Sequence, residues 1–189
     1  LSSIGDYAFA GAGITSVALP QTLVSIGEYA FAGTSDLESV TFVGEPANLT
    51  VIRTGAFTES GLTEFSVPKA VTNIELGAFE GAAALSRVTF TADSLLTAIG
   101  DRAFRGTALD AITLPTGVKT IGNRAFENCA ALTEVTVSGS ALETIGEYAF
   151  TKCEALVKIY ADGFTKESWI AVEKGRMWSH DTDPALTVE

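Results

Sequence analysis

Leu23-Val24-Ser25-Ile26-Gly27-Glu28-Tyr29-Ala30-Phe31 is the stretch whose reading decides the fold. Its kernel, Ile-x-x-x-Ala-Phe, recurs at Ile4…Phe9, Ile52…Phe57, Ile74…Phe79, Ile99…Phe104, Ile121…Phe126 and Ile145…Phe150. Successive motif Phe residues are 22, 26, 22, 25, 22 and 24 positions apart. Self-similarity at a near-constant period marks a solenoid, in which each unit buries its apolar side only against its neighbours.

A second motif lies between the Phe residues, with the form apolar-x-x-apolar-x-apolar. Ile14-Thr-Ser-Val17-Ala-Leu19, Leu62-Thr-Glu-Phe65-Ser-Val67 and Leu109-Asp-Ala-Ile112-Thr-Leu114 are examples, and the others start at Leu37, Leu85, Leu132 and Leu156. Alternation of apolar and small polar residues predicts a short strand. Together the motifs describe one coil: a strand on one face, Ile entering from the side, and a short helical turn carrying Ala-Phe inward on the other face. Stacking about seven coils lines the strands up as one parallel sheet, roughly 30 Å long at a ~4.8 Å strand spacing. The predicted class is an α/β repeat, a leucine-rich-repeat solenoid over residues 1–160 with a C-terminal helical cap over 161–189.

Coil length alternates. Short coils carry Pro after the strand, at Pro20, Pro68 and Pro115, where a residue without N–H ends the ladder. Long coils instead have extended turns, such as Val43–Leu49 and Thr91–Leu95, so the repeating unit reads as a pair of coils.

These residues closely resemble the BspA-like leucine-rich-repeat family, whose repeat runs approximately L-x-x-I-G-x-x-A-F-x-x-C-x-x-L-x-x-V-x-L-P. Leu23…Phe31 and Ile112-Thr-Leu114-Pro115 carry the match, and it extends over residues 1 to about 160. The resemblance implies a secreted or cell-surface protein of host-associated bacteria or some protists, with adhesion a common role and no enzymatic activity. It also implies an ending made of an apolar strand, a helix and a Trp. The family's Cys position is Cys in only two of seven coils here, Cys129 and Cys153.

Composition narrows the function classes. Twelve basic against 23 acidic residues give a net charge of −11, which disfavours nucleic acid and anionic lipid. Apolar runs are only a few residues long, whereas a membrane span needs roughly 20, so no membrane insertion is expected of this chain. Two Cys and one His are too few for a four-ligand zinc site without carboxylates. No G-x-G-x-x-G, nucleophilic triad or metal motif occurs, so the reading is of a non-enzyme with no cofactor and no metal. Leu1 begins inside a repeat, which reads as a fragment or a processed chain.

Five features are candidates for more than scaffolding. Cys129 and Cys153 lie three residues after their motif Phe, where other coils hold Ala, Thr or Ser. They read as packed free thiols, or as a disulfide between neighbouring coils. An acidic column (Asp6, Glu28, Asp101, Glu147, with Asn123 in register) reads as a start or cap for the helical turn. A calcium stack is the competing reading, but each coil offers one ligand where six to eight oxygens are needed. In the tail, Lys166–Arg176 reads as a helix with Thr165 as N-cap and Trp169, Val172 and Arg176 on one face, while His180 reads as a surface or cap residue. Asn48-Leu49-Thr50 is a glycosylation sequon, relevant only to a eukaryotic secretory route.

The fifth candidate is the strand face. Its outward residues are Ala18, Thr41, Ser66, Thr89, Thr113, Thr136 and Tyr160, and two positions before each of these lie Glu64, Arg87, Glu134 and their equivalents. The face is small, hydroxyl-rich and lightly charged. It reads either as a solvated sheet of β-formers or as a shallow platform for a protein or glycan. The candidate binding residues are Thr41, Glu64, Ser66, Arg87, Thr89, Thr113, Glu134, Thr136 and Tyr160, with binding centred on Glu64, Arg87, Thr89 and Thr113. Arg87 is the expected anchor, because guanidinium makes bidentate contacts among otherwise small neighbours. The functional expectation is an extracellular adhesion or ligand-binding module; the alternative is a structural spacer within a larger surface protein.

Overall fold

In the computed structural model, which describes residues 1–176 and 178 and the backbone of 185–187, the chain winds as a parallel-strand solenoid of about seven coils. In chain order the strands are β1 (Ser3–Ile4), β2 (Ser16–Pro20), β3 (Ser25–Ile26), β4 (Ser39–Val43), β5 (Val51–Ile52), β6 (Glu64–Val67), β7 (Asn73–Ile74) and β8 (Arg87–Phe90). They continue as β9 (Ala98–Ile99), β10 (Ala111–Leu114), β11 (Thr120–Ile121), β12 (Glu134–Ser138), β13 (Thr144–Ile145), β14 (Lys158–Asp162), β15 (Glu173–Lys174) and β16 (Ala185–Thr187). Even-numbered strands form the expected strand face. Odd-numbered strands are two-residue pairings that the sequence did not announce: the Ile column is a second parallel ladder, with Ile52 opposite Ile74 and Ile74 opposite Ile99.

The Ala-Phe turns are not helical, contrary to the expectation. In every coil the residue before Ala-Phe has a left-handed backbone, as at Tyr29 (φ 53°), Gly55 (φ 60°) and Arg124 (φ 57°). A second left-handed position follows two residues after Phe, at Gly33, Glu59 and Asn128 among others. A right-handed helix cannot pass through such residues. The main-chain bonds give the same answer: within a turn they are separate i→i−3 bonds, such as Ala32 N–H to the Tyr29 carbonyl, and the alternating donors reach the next coil. The N–H of Phe31 donates to the carbonyl of Ala56, that of Phe57 to Ala78 and that of Phe79 to Ala103, each at 2.8 Å. Tyr29 and Gly33 likewise donate to Thr54 and Thr58 of the next coil. The turn face is therefore a third inter-coil ladder, built from kinked backbone.

Stacking places one residue type over itself. The rings of Phe9, Phe31, Phe57, Phe79, Phe104, Phe126 and Phe150 form a continuous stack, with centroids 5.1–5.4 Å apart and planes within 11°. Offset stacking at such distances is favourable for aromatic quadrupoles. All of these rings except Phe9 are buried. The Ile-Gly pair has a steric origin: a Cβ at Gly122 would sit 2.5 Å from the main-chain nitrogen of Asp101 in the coil before.

The tail departs from expectation. The helix α1 (Lys166–Ala171) stops five residues before Arg176, although Thr165 caps it as expected through a reciprocal capping box with Ser168. Past it the repeat pairing resumes. β15 pairs with β13 and β16 with β14, and the N–H of Phe150 donates to the Trp178 carbonyl. Lys174-Gly175-x-x-Trp178 is thus a degenerate copy of the Ile-Gly motif, with Gly175 packed on Glu147 as Gly146 is on Asn123. Trp169 and Val172 are buried as expected, whereas Arg176 is exposed. His180 lies outside the described residues. Among the described residues no helix is long and apolar enough to cross a membrane.

Two stability measurements check this account. Phe57→Ala empties the middle of the ring stack and is expected to cost about 3–5 kcal/mol in denaturant unfolding; a loss below about 1 kcal/mol with the fold intact would show that the stack is not the core spine. Glu59→Gly, at an exposed left-handed position that is Gly in four other coils, is expected to stabilise by about 0.5–1 kcal/mol through relief of backbone strain.

Candidate binding face

Each candidate residue sits on an even-numbered strand, in register with its equivalents. Ser66 is opposite Thr89, Glu64 opposite Arg87, and Thr113 opposite Thr136, which is opposite Tyr160. Thr41, Glu64, Ser66, Arg87, Thr89 and Thr113 are exposed, while Glu134, Thr136 and Tyr160 are half-buried. Neighbouring hydroxyls join along the column: Ser66 Oγ and Thr89 Oγ1 are 2.9 Å apart. Lys158 Nζ donates to Tyr160 Oη at 3.2 Å and lies 5.6 Å from the ring centroid. That hydrogen bond raises the Lys158 pKa above its ordinary value. The Arg87 guanidinium has neither a hydrogen bond nor an ion pair among the described residues, which leaves its five donors to solvent or a ligand.

The expected single sheet is broken. Its ladders run β2–β4, β6–β8 and β10–β12–β14–β16, with no pairing across β4/β6 or β8/β10. Both breaks follow a long coil. Seven residues carry the chain from Leu19 to Ile26, from Val67 to Ile74 and from Leu114 to Ile121. Ten separate Phe42 from Ile52, nine separate Phe90 from Ile99, and eight separate Val137 from Ile145. A surplus of two or three residues breaks the ladder to the following strand, and a surplus of one is absorbed.

Each break opens a depression. The first, about 320 Å³, lies between β4 and β6 and includes Thr41, Glu64 and Ser66. The second, about 610 Å³, lies between β8 and β10 and includes Arg87, Thr89 and Thr113, with Asp110 and Asp162 at its rim. Phe42 and Phe90, the half-buried last inward residues of the strands before each break, line the floors. Six of the nine sequence-chosen residues are thereby gathered into two grooves. Glu134, Thr136 and Tyr160 lie on intact ladder beyond them.

The other candidates have structural roles. Cys129 and Cys153 are free and buried. Cys129 Sγ donates to the Phe104 carbonyl at 3.1 Å, and Cys153 Sγ to the Phe126 carbonyl at 3.0 Å. Thr34 and Thr107 do the same for their own motif Phe with a hydroxyl. The adjacent Cys129 sulfur and burial away from water push the Cys153 thiol up, out of reach of ionisation at neutral pH. The acidic column does not cap helices. Asp6 Oδ1 accepts from the N–H of Glu28, Asp101 Oδ1 from Asn123 and Asn123 Oδ1 from Glu147, at 2.7–2.8 Å. These side chains close one coil onto the next.

A family model for the BspA type leucine rich repeat region matches in six copies, over residues 2–106 and 89–167. The chain belongs to the BspA-type leucine-rich repeat family. Solved structures with the same fold include a leucine-rich repeat protein of Bacteroides ovatus, at 24% identity and TM-score 0.75, covering all of this chain and 49% of that one. A Treponema protein, the T. pallidum leucine rich repeat protein, aligns at 23% identity and TM-score 0.62 over 93% of this chain and 67% of that one. A leucine rich cell surface protein of Faecalibacterium prausnitzii aligns at 22% identity and TM-score 0.51, over 92% and 54%. The BspA-type chain spans about half the length of the Bacteroides ovatus protein. No curated protein matches its sequence.

In the native BspA-type coil both thiols are expected to resist a thiol-reactive dye and to label stoichiometrically once the protein is unfolded. Mass spectrometry finding Cys129 linked to Cys153 in native protein would overturn the assignment.

Proposed function

We propose that this chain is a non-catalytic, extracellular interaction module that binds a protein or glycan across its strand face, at a cell surface or after secretion. The observation that carries the reading is the pair of grooves where the strand ladder parts, which gather Thr41, Glu64, Ser66, Arg87, Thr89 and Thr113. Membership of the BspA-type family supports an interaction role, and the cell-surface description of the Faecalibacterium prausnitzii protein supports the location. Concave or open solenoid faces serve extended partners well, because neighbouring repeats present parallel columns of side chains. The unpaired Arg87 is the anchor, with the flanking hydroxyls supplying adaptable polar contacts. The acidic surroundings disfavour an anionic partner. Residues 161–189 serve to close the end of the 1–160 solenoid.

A pull-down with the isolated chain against matrix proteins and glycans is expected to return a partner at micromolar concentration. An empty result would favour a structural spacer within a larger surface protein. With a partner in hand, Arg87→Glu and Thr89→Trp are each expected to weaken binding by about tenfold or more, whereas Glu28→Lys on the turn side is expected to leave it unchanged. The opposite pattern would place binding on the turn face.

A further inference from the structure

The two breaks in the strand-face ladder are not equivalent. At the β8/β10 break the Ile ladder is intact, because β7 pairs with β9 and the N–H of Gly100 donates to the Ile74 carbonyl at 2.7 Å. At the β4/β6 break the Ile ladder is lost as well. β1 pairs with β3 and β5 begins a separate six-stranded sheet, with no pairing between β3 and β5. Gly27 donates to the Ile4 carbonyl and Glu75 to the Ile52 carbonyl, both at 2.9 Å, but no equivalent bond joins Arg53 to Ile26 among the described residues. The severity follows the surplus in the preceding turn: three extra residues between Phe42 and Ile52 break both ladders, two between Phe90 and Ile99 break one, and one between Val137 and Ile145 breaks neither.

What still crosses this boundary is narrow. The turn-face bonds remain, from Tyr29, Phe31 and Gly33 to Thr54, Ala56 and Thr58. Gly61 and Thr63 reach back to Thr34 and Glu38. The Phe31 ring stacks on Phe57 at 5.3 Å, Phe42 meets Phe65 edge to face at 6.1 Å, and the N–H of Lys69 donates to Glu45 Oε1 at 2.7 Å. In a solenoid, stability is a sum of coil terms and nearest-neighbour interface terms, so the weakest interface sets where the array divides. The first two coils, by contrast, are joined to each other on all three faces by β1–β3, β2–β4 and the turn bonds from Tyr7, Phe9 and Gly11.

We infer that the boundary between the second and third coils is a built-in seam, so that residues 1–43 open as one cooperative unit before the rest of the solenoid. Opening at the seam is a sub-global event of the kind amide exchange resolves. Because β2–β4 stays paired, the two coils leave together and not one after the other. The inference concerns the fold alone and stands whether or not the strand face binds a partner.

Hydrogen exchange followed by mass spectrometry on the whole 189-residue chain tests it. Peptides covering β1–β4 are expected to share one exchange rate, faster by about tenfold or more than peptides covering β6–β10, with the step falling between Val43 and Glu64. Simple fraying would instead give a gradient, with β2 faster than β4 and no step at the seam, and that result would overturn the proposal. A second measurement uses a variant in which Val43–Leu49 is replaced by the four-residue sequence of Pro68–Val71, which removes the three surplus residues. The step is expected to shrink or vanish in the graft. A step that persists unchanged with the shorter turn would show that the surplus is not its cause. The wild-type profile decides the first point even if the graft does not fold.

Discussion

One hydrogen bond, repeated from coil to coil, sets the rest of the molecule. The motif Phe N–H donates to the carbonyl of the motif Ala in the next coil, at 2.8 Å throughout the main array. It can do so only if the backbone on either side turns out of the right-handed region, hence the left-handed residues before Ala and two after Phe. Once this bond fixes the rise per coil, each side chain lies over its equivalent, and the Phe rings have no choice but to stack. The same rise brings Gly of the Ile-Gly pair onto the main chain of the coil before, where a Cβ would collide. Buried main-chain groups must be paired; within a coil the turns satisfy some of them through i→i−3 bonds, as from Ala32 to Tyr29, but the bonds of the three ladders run between coils, so an isolated coil would leave those donors and acceptors open.

The constraint also explains where regularity gives way. The turn ladder holds at every boundary between the seven motif coils, so differences in coil length must be taken up on the other faces. Most of the surplus accumulates between the strand and the Ile column, while the stretch from the motif Phe to the strand varies by a single residue, as between Phe9–Leu19 and Phe31–Phe42. The strand ladder lets go first and the Ile ladder second. The grooves therefore follow from length mismatch between neighbouring coils: an even array would present a closed sheet, whereas the alternation of long and short coils opens depressions lined by Phe42 and Phe90.

Period and residue type made the repeat, the strand columns, the Phe spine and the inward and outward alternation legible from the sequence. Three features were not. Ala-Phe in a short polar setting looks like a helical turn, and the contrary signal lay in the position before it, held by Tyr, Gly or Arg, of which Gly is the one that marks a left-handed backbone. The Ile ladder was hidden because two residues are too few for a period to register. The eighth pairing was hidden because Lys174 and Trp178 replace the motif Ile and Ala. Lys174 fits there by turning its ammonium onto the carbonyls of Trp169 and Val172, 2.8 and 2.9 Å away, beneath the Trp169 ring. For the candidate face, alternation picked out the right columns, but the grooves depend on which strands pair, and no local pattern encodes that.

The division of labour between faces argues for the strand side as the side free to specialise. On the turn face several charged residues are already engaged in holding coil to coil. Asp6 and Asp101 accept main-chain N–H groups of the next coil, Glu75 accepts from Thr54, and Arg105 bridges Glu80 and the buried Glu127 at 2.7 and 2.9 Å. Changing any of these loosens the stack itself, since the lost partner leaves a donor or charge unmatched. On the strand face the outward residues carry little of that load: the ladder there is main chain to main chain, and it tolerates being broken twice. Thr, Ser, Glu, Arg and Tyr can be exchanged along those columns at small cost to the fold. A face whose side chains are not needed for folding is the one on which selection can write a binding specificity, and here it is also the face that the uneven coils open.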